Sequence, residues 1–505
     1  MGTKQFIGID FGTTNTAVFE YTTDESGITN QRILSENGAI NAAFPSIIAI
    51  TNDNSHYLIG NIVKKEKERL SETHSIIKSF KTFLNEENPI SINGASISPV
   101  QLVSYYLQAI KKRIFKVYNI DISEASFSYP VDFGATARRQ LAAAAEDAGI
   151  NVTSMISEST AAYLACKDGI GVYQNVMVID WGGGTLDMSI LKIERNKVFE
   201  KSIYGIKFGG DDIDILLAER MHANVNRMAK EFIKKKAFED ISLSDRDKMI
   251  SLREEAKIEI SNSQEDYLAT LQSYGDYGTQ NFVISVDEFE GIVSPLIRTK
   301  VVPAIAEALK RSEMTPSSID AVIIAGGSSK LLSFMNAVIN IFGQDKIFCP
   351  VDLALSKSTV EGNKINTRGG VQFVSAKGAA FSLTLGDGFK LNEGIGILMS
   401  DNSVYPLFKG QQDGEGASVE LTFSLVEDTQ DAHFIITNES GTHVYDKFIV
   451  PTKGFLRENL KVNASITKYQ TILLNVNDQM MSDKLKDTSR EITGMTMYYD
   501  LSNSE

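Results

Sequence analysis

Cysteine is almost missing from this chain: Cys166 and Cys349 are the only two in 505 residues. Two thiols cannot build a disulfide framework or a cysteine-rich metal site. Histidine is nearly as sparse, and His56, His74, His222, His433 and His443 show no ligand spacing such as H-x-x-x-H. The motifs G-x-x-x-x-G-K-[ST], G-x-S-x-G and H-E-x-x-H are absent, which excludes a P-loop and weakens hydrolase and metalloprotease readings. No apolar run approaches the ~20 residues of a membrane helix. The opening Met-Gly-Thr-Lys-Gln enters a strand at once, leaving no room for a signal peptide. Positive charge is in deficit too: Lys+Arg 50 against Asp+Glu 64 gives −14. That argues against non-specific nucleic-acid binding and against anchoring at an anionic membrane. The expectation is a soluble cytoplasmic monomer with no nucleic-acid or membrane partner.

Against these absences, one plan occurs twice. Phe6-Ile7-Gly8-Ile9-Asp10-Phe11-Gly12-Thr13-Thr14-Asn15-Thr16 is an apolar strand ending in an aspartate and running into a glycine-threonine turn. Val176-Met177-Val178-Ile179-Asp180-Trp181-Gly182-Gly183-Gly184-Thr185-Leu186-Asp187 repeats it. A second strand follows each turn, at residues 17–21 and 188–193. Such a unit recurring far along the chain points to a duplicated domain with two phosphate-facing hairpins. Small turn residues let backbone N–H groups close on phosphate oxygens, and Thr13 and Thr14 add hydroxyl donors. Mg²⁺ keeps most of its waters and is usually held by one or two carboxylates plus phosphates, so Asp10, Asp180 and Asp187 are its candidates. Gly326-Gly327-Ser328-Ser329, between a buried strand at 320–325 and a helix at 331–342, either faces a nucleotide or permits tight packing.

Helical stretches lie between these turns. Residues 101–116 place Leu102, Tyr105, Tyr106, Ala109, Ile110 and Ile114 on one face. Residues 136–148 are alanine-rich and stop at Gly149, and 213–238 and 244–261 read as charged amphipathic helices. The texture changes near Leu385. Residues 386–393 read as a linker, and beyond it Val419, Leu421, Phe423 and Leu425, then Ile472, Leu474 and Val476, alternate as strands do. An all-β domain at 394–500, a usual domain size, and a loose tail at 501–505 are expected.

The order hairpin, hairpin, Gly-Gly turn matches the actin / hexokinase / heat-shock ATPase superfamily. In detail the chain resembles the seventy-kilodalton heat-shock protein (DnaK-type) family. The resemblance rests on Gly8–Asn15, Phe44-Pro45-Ser46, Ser79-Phe80-Lys81-Thr82-Phe83-Leu84, Tyr129-Pro130 through Arg138, and Ile156-Ser157-Glu158-Ser159-Thr160-Ala161-Ala162. It continues through Phe208-Gly209-Gly210-Asp211-Asp212-Ile213-Asp214, Glu254-Glu255-Ala256-Lys257 to Ser261, Val322–Ser329 and Ala376-Lys377-Gly378-Ala379-Ala380. It covers residues 5–385 specifically and 394–500 faintly. It implies an α/β actin-like duplicated nucleotide-binding domain of two lobes at 1–385, followed by a smaller all-β sandwich that binds peptide.

The resemblance also implies slow ATP hydrolysis with ATP/ADP and Mg²⁺. Lys81 would face the γ-phosphate and attacking water, Thr185 and Glu158 would orient water, and Asp180 and Asp187 would hold the hydrated metal and the nucleophile. Asp10, Gly12, Thr13, Thr14, Asn15, Gly182, Gly183, Gly184, Gly209, Gly210 and Asp211 would surround the phosphates. Glu254, Lys257, Ser261, Gly326, Gly327, Ser328 and Lys330 would surround adenosine, and Pro130 and Arg138 would form an interdomain switch. On local spacing alone the alternative readings are that Lys81 is a surface lysine beside Lys78 and that Lys257 is an i,i+3 partner of Glu254. Trp181, the only tryptophan, either senses nucleotide from the second turn or packs behind the strand.

The departures matter as much. Ser159 replaces the usual proline after Glu158, and Ser154 and Ser157 replace the arginine and asparagine that receive a J-domain co-chaperone, which puts that partner in question. Residues 350–370 look inserted. The linker has only Phe389 and Leu391 as apolar anchors, which implies weak coupling between nucleotide and β-domain. In the peptide pocket, Ile395, Leu398, Val426 and Ile435 would surround His433, unless a register shift of one turns His433 outward. The chain stops at Glu505 without the family's helical lid, so release of peptide should be fast. The expected function is an ATP-dependent chaperone acting on extended or unfolded polypeptide. The alternative is a nucleotide-gated adaptor for one folded partner. A sugar or acetate kinase or a filament-forming actin relative shares the fold but would not need the β-domain.

Overall fold

The computed structural model describes residues 4–24, 27–38, 43–86, 88–130, 133–170, 173–351, 354–357, 360–361, 364–365, 370–385, 388–411, 416–452, 459–478, 490–495 and 497–501. Two mixed sheets carry the first three-quarters of the chain. The first has the order Asn151–Ser157, Glu124–Tyr129, Lys4–Phe11, Asn15–Asp24, Gly27–Ile33, with Phe44–Pro45 joined to Asn15–Asp24. The second runs Ala354–Lys357, Ile347–Val351, Ala321–Ala325, Asn175–Trp181, Leu186–Glu194, Lys197–Ile206, Met497–Asp500, Phe389–Leu391.

The two repeated motifs take equivalent places in these sheets. Lys4–Phe11 pairs antiparallel with Asn15–Asp24 and parallel with Glu124–Tyr129. Asn175–Trp181 pairs antiparallel with Leu186–Glu194 and parallel with Ala321–Ala325. Strands flanked on both sides must be apolar along their length, and Ile7, Ile9, Val178 and Ile179 are all buried. Each hairpin therefore ends with its aspartate and turn at the same edge of its sheet.

Two helices, Glu158–Ile170 and Val374–Leu385, hold the sheets together. Ala379 and Val374 share a core with Ala161, Ala162 and Val178, while Ala376 and Ala380 pack on Ala17, Phe19 and Tyr21. The closeness is set by glycine: a Cβ on Gly378 would stand 1.8 Å from the Ala161 carbonyl oxygen. Gly378→Ala is expected to destabilise the chain by about 1–3 kcal/mol or more through overpacking, measured as a lowered thermal midpoint.

The remaining helices follow their sequence signals. Pro99–Tyr118 begins at Ser98, whose hydroxyl accepts from the Gln101 amide at 3.1 Å, and stops at left-handed Asn119. Leu243–Ser263 begins likewise at Ser242. The helix expected over 213–238 instead spans Gly210–Met228. Beyond it the chain folds back, and the Lys236 carbonyl accepts from His222 Nε2 at 2.8 Å and Asn226 Nδ2 at 2.7 Å. A continued helix would also crowd Lys230, Lys234, Lys235 and Lys236 together.

The C-terminal region is β-rich. Val404–Phe408, Ile395–Leu398, Asp431–Asn438 and Val444–Pro451 form one antiparallel sheet; Ser418–Ser424, Asn459–Ile466, Ile472–Asp478 and Arg490–Ile492 form another. Their inner faces share a core that includes Ile397, Phe434, Ile436, Val462, Leu474 and Val476. The turn at 467–471 rests on the first sheet's edge. Tyr129 Oη donates to Gln470 Oε1 at 2.8 Å, Gln470 Nε2 donates to the Met155 carbonyl at 3.1 Å, and Lys468 pairs with Glu146 at 2.5 Å.

Two features differ from the sequence reading. Met497–Asp500, expected within the sandwich, leaves it and becomes a strand of the second sheet, between Lys197–Ile206 and Phe389–Leu391. The linker is thus partly an ordered strand, with residues 386 and 387 outside the described residues. Of the stretch at 350–370, short strands are present at Ile347–Val351, Ala354–Lys357, Val360–Glu361 and Lys364–Ile365. Residues 352–353, 358–359, 362–363 and 366–369, like the tail at 502–505, lie outside the described residues.

Candidate nucleotide site

Both aspartate-ended hairpins open onto one cavity of about 240 Å³. Its walls include Asp10, Gly12, Thr13, Thr14 and Asn15 from the first hairpin, and Asp180, Gly182, Gly183, Gly184, Thr185 and Asp187 from the second. Lys81, Pro130, Glu158, Asp211, Glu254, Lys257, Ser261, Gly326, Gly327, Ser328 and Lys330 complete the residues singled out from sequence. Gly209 and Gly210 stand behind the wall: the Gly210 amide donates to the Gly182 carbonyl at 3.1 Å, and the Asp211 amide to Gly183 at 2.8 Å.

Buttresses fix the turns. Ser46 donates through its amide to the Thr14 carbonyl at 2.8 Å and through Oγ to the Gly12 carbonyl at 2.7 Å. Ser328 Oγ donates to the Gly182 carbonyl at 2.7 Å, tying the third turn to the second. Gly326 has φ +79, and a Cβ there would meet the Trp181 carbonyl and Asp180 Oδ1, so glycine is required on both counts. Thr14 Oγ1 donates to Asp211 Oδ2 at 3.4 Å, linking the first turn to the start of the helix Gly210–Met228. The Trp181 ring turns the other way: it is fully buried against Phe208 and Phe334, and Nε1 donates to the Phe208 carbonyl at 3.0 Å.

At one end of the cavity sits Lys81, only 5% exposed. Its neighbour Phe80 packs on Phe11 and Tyr106, while left-handed Ser79 turns the chain into the short 3-10 helix Phe80–Asn85. Lys81 Nζ lies 3.4 Å from Glu158 Oε1 and 5.4 Å from the Phe133 ring centroid. Around this one ammonium stand Glu158, Asp10, Asp180 and Asp187. Burial pushes Asp180 up to about 8, with Asp10 and Asp187 adding to the rise and Lys81 opposing it. Burial likewise raises Asp10 and lifts Glu158 well above the ordinary range, against the pull of Lys81. Thr185 Oγ1 donates to Asp187 Oδ2 at 2.7 Å.

This acid-rich end fits a hydrated divalent cation. Asp10 Oδ1 is buried with no hydrogen-bond partner, and like charges held this close are relieved by a cation. Among the described residues, no three acidic, histidine or cysteine side chains converge closely enough to hold a bare ion. Asp180 binds its proton more tightly folded than unfolded, so it contributes stability below about pH 4 that is lost as pH rises towards 8. Asp180→Asn is therefore expected to raise the thermal midpoint of metal-free protein at pH 8.5 by on the order of 5 °C, with little gain at pH 5. Equal midpoints at both pH values would contradict it.

The far end is formed by the helix Leu243–Ser263. Lys257 Nζ donates to Asp214 Oδ2 at 2.6 Å and to the Gly210 carbonyl at 3.0 Å, while Lys64 pairs with Glu254 at 2.6 Å. Burial raises Asp214 to about 7 against the pull of Lys257, and burial lowers Lys330. Ile258 and Asn262, on this helix, also line the cavity, as do Leu331, Val371, Gln372 and Ser375. The sequence reading missed all six. Helical spacing could have found Ile258 and Asn262, which follow Glu254 at i+4 and i+8. Val371, Gln372 and Ser375 carry no local signal.

Of the switch residues, Pro130 touches the cavity, whereas Arg138 stacks on Tyr129 with its guanidinium 4.9 Å from the ring centroid. The residues named for a peptide pocket do not gather on one surface. Ile395 is 1% exposed inside the β-rich core, whereas Val426 is 73% exposed. His433 lies on the solvent face of its strand opposite Ile449, with Ala432 and Phe434 turned inward. Ile435 shares the outward side and is half-buried, as is Leu398.

Paired hairpins with aspartates at their ends, facing each other over one cavity, belong to the actin-like nucleotide-binding fold. The family model described as Hsp70 protein matches residues 84–348, just over half of the chain, and the chain belongs to the Hsp70 family. It is similar to the chaperone protein DnaK of Elusimicrobium minutum (strain Pei191), 29% identical over 339 residues, which cover 65% of this chain and 52% of that protein. The chain thus spans about half the length of that curated relative. Members of this family are chaperone-type ATPases. Among the described residues no helix is long and apolar enough to cross a membrane.

Proposed function

We propose that this chain binds Mg-ATP between its two hairpin turns, hydrolyses it slowly, and couples nucleotide state to binding of extended polypeptide by its β-rich region. In this reading residues 1–385 are a two-lobed ATPase domain, 386–393 a linker, and 394–500, apart from the strand Met497–Asp500 in the second sheet, a substrate-binding domain. The observation that carries it is the single cavity in which Lys81 and four carboxylates face the glycine-threonine turns.

Phosphoryl transfer to water needs positioning and charge neutralisation more than covalent chemistry. Lys81 supplies a buried ammonium where charge spreads onto the γ-phosphate oxygens, in surroundings that strengthen its field. Asp187, whose carboxylate accepts from Thr185, and Glu158 orient the attacking water; Asp10 and Asp180 would hold a hydrated magnesium ion. When bound, Mg²⁺ supplies positive charge to the phosphate oxygens. Glu254, Lys257, Ser261, Ser328 and Lys330, joined by Ile258, close on adenosine. Labelled extended peptide, titrated with Mg-ATP and then Mg-ADP present, tests the coupling: different affinities are expected, and identical ones contradict it.

One observation favours a second reading, a nucleotide-gated adaptor for one folded partner. The linker strand is bound into the second sheet by Met497–Asp500, which leaves little freedom for domain separation. Capture of many unfolded clients with no defined partner would count against the adaptor.

A further inference from the structure

Next to Glu158 lies a carboxylate that the proposed mechanism does not use, that of Glu200. Ser157, Ser159 and Thr160 flank Glu158 at the start of the helix Glu158–Ile170, and all three are at most 4% exposed. Their hydroxyls converge on one atom. Ser159 Oγ donates to Glu200 Oε1 at 2.6 Å, Thr160 Oγ1 donates at 3.1 Å, and Ser157 Oγ donates to the same oxygen. Ser157 Oγ also accepts from the Thr160 amide at 3.2 Å as a helix cap.

A break in the sheet aims Glu200 at these hydroxyls. In the pairing of Leu186–Glu194 with Lys197–Ile206, Ile190 faces Ser202 but Leu191 faces Glu200, so Lys201 is an extra residue. In unbroken register Glu200 would lie opposite Lys192 and point to the other side of the sheet. The bulge turns it to the side of Leu191 and Val198, which pack against the helix Glu158–Ile170. The same strand pairs Val198 with Tyr499 two residues along.

We propose that Glu200 is a positioning residue for Glu158. By clasping the hydroxyls on both sides of it, Glu200 fixes the backbone from which the Glu158 carboxylate reaches Lys81. Ser159 stands where the resembling family places a proline, which stiffens a first helical turn by fixing φ. The clasp does the same work through hydrogen bonds. The consequence for turnover rests on the ATPase reading; the consequence for the backbone does not.

The test uses the full chain and the variants E200A, E200Q and E200A/S159P. Single-turnover hydrolysis is expected to fall roughly 10–100-fold in E200A, since misplacement of about 1 Å costs this much, with ATP affinity within about twofold of wild type. E200Q keeps an acceptor oxygen and retains most of the rate, and the added proline recovers most of what E200A loses. Amide hydrogen exchange at residues 158, 160 and 161 is expected to quicken about tenfold in E200A and to slow again in E200A/S159P. Unchanged exchange in E200A overturns the inference. So does a rate that falls together with ATP affinity and that neither E200Q nor the proline recovers. Absence of turnover in the wild type overturns the ATPase reading alone, and the exchange measurement still decides on the clasp.

Discussion

Alanine at position 81 is expected to slow single-turnover ATP hydrolysis by on the order of 10²–10³-fold, with ATP still bound to within about tenfold of wild-type affinity. The asymmetry follows from where the cations sit. Lys257 and Lys330 stand at the other end of the cavity, and Lys257 is already held by Asp214. Among the described residues, Lys81 is the cation paired with Glu158 in the acid-rich end. Its loss therefore removes charge stabilisation made in the transition state while leaving the turns and the adenosine end in place. Folding should survive, because Asp10 and Glu158, already raised by burial, take up protons when their counter-charge goes. Lys330→Ala provides the contrast, with affinity falling more than rate. Comparable losses in both quantities for Lys81→Ala would contradict the assignment.

The second large effect is expected from the strand Met497–Asp500. Tyr498 and Tyr499 are each 2% exposed. Tyr499 meets Phe389 edge-on at 5.3 Å, and its hydroxyl donates to the Ser382 carbonyl at 3.4 Å. Tyr498 packs on Phe199 at 5.2 Å beneath Lys197, and Lys390 pairs with Asp500 at 2.8 Å. Removing a buried aromatic ring from such a site costs about 3–5 kcal/mol, so Tyr499→Ala is expected to lower the thermal midpoint substantially. Deleting 497–505 should do more: it unpairs the linker strand and bares the edge of Lys197–Ile206. Proteolytic cleavage near the linker should then quicken markedly in the truncated chain. Unchanged cleavage would mean that Phe389–Leu391 is held by other contacts.

The sequence disclosed local features well and distant pairings badly. The two hairpins were legible because each strand is apolar throughout and stops at an aspartate and small turn residues, a pattern with few alternatives. The helix Pro99–Tyr118 was equally plain, from its apolar stripe and its Ser98 start. By contrast, Met497-Tyr498-Tyr499-Asp500 has the same texture as any sandwich strand, and only tertiary packing decides that it joins the second sheet. The resemblance puts Ile395 in a pocket, whereas a bulge beside Gly396 and the needs of the core turn it inward. Glu200 was invisible for the same reason: a one-residue bulge decides which face of the sheet it occupies. Trp181 had two readings, and packing against Phe334 and Phe208 selects the buried one.

The most direct measurement is calorimetric titration of the purified full chain with Mg-ATP and with Mg-ADP. The account predicts one site per chain, saturable binding of both nucleotides, and loss of heat when Asp10 and Asp180 are both replaced by asparagine in protein that remains folded. Folded wild-type protein that releases no heat with either nucleotide would contradict it.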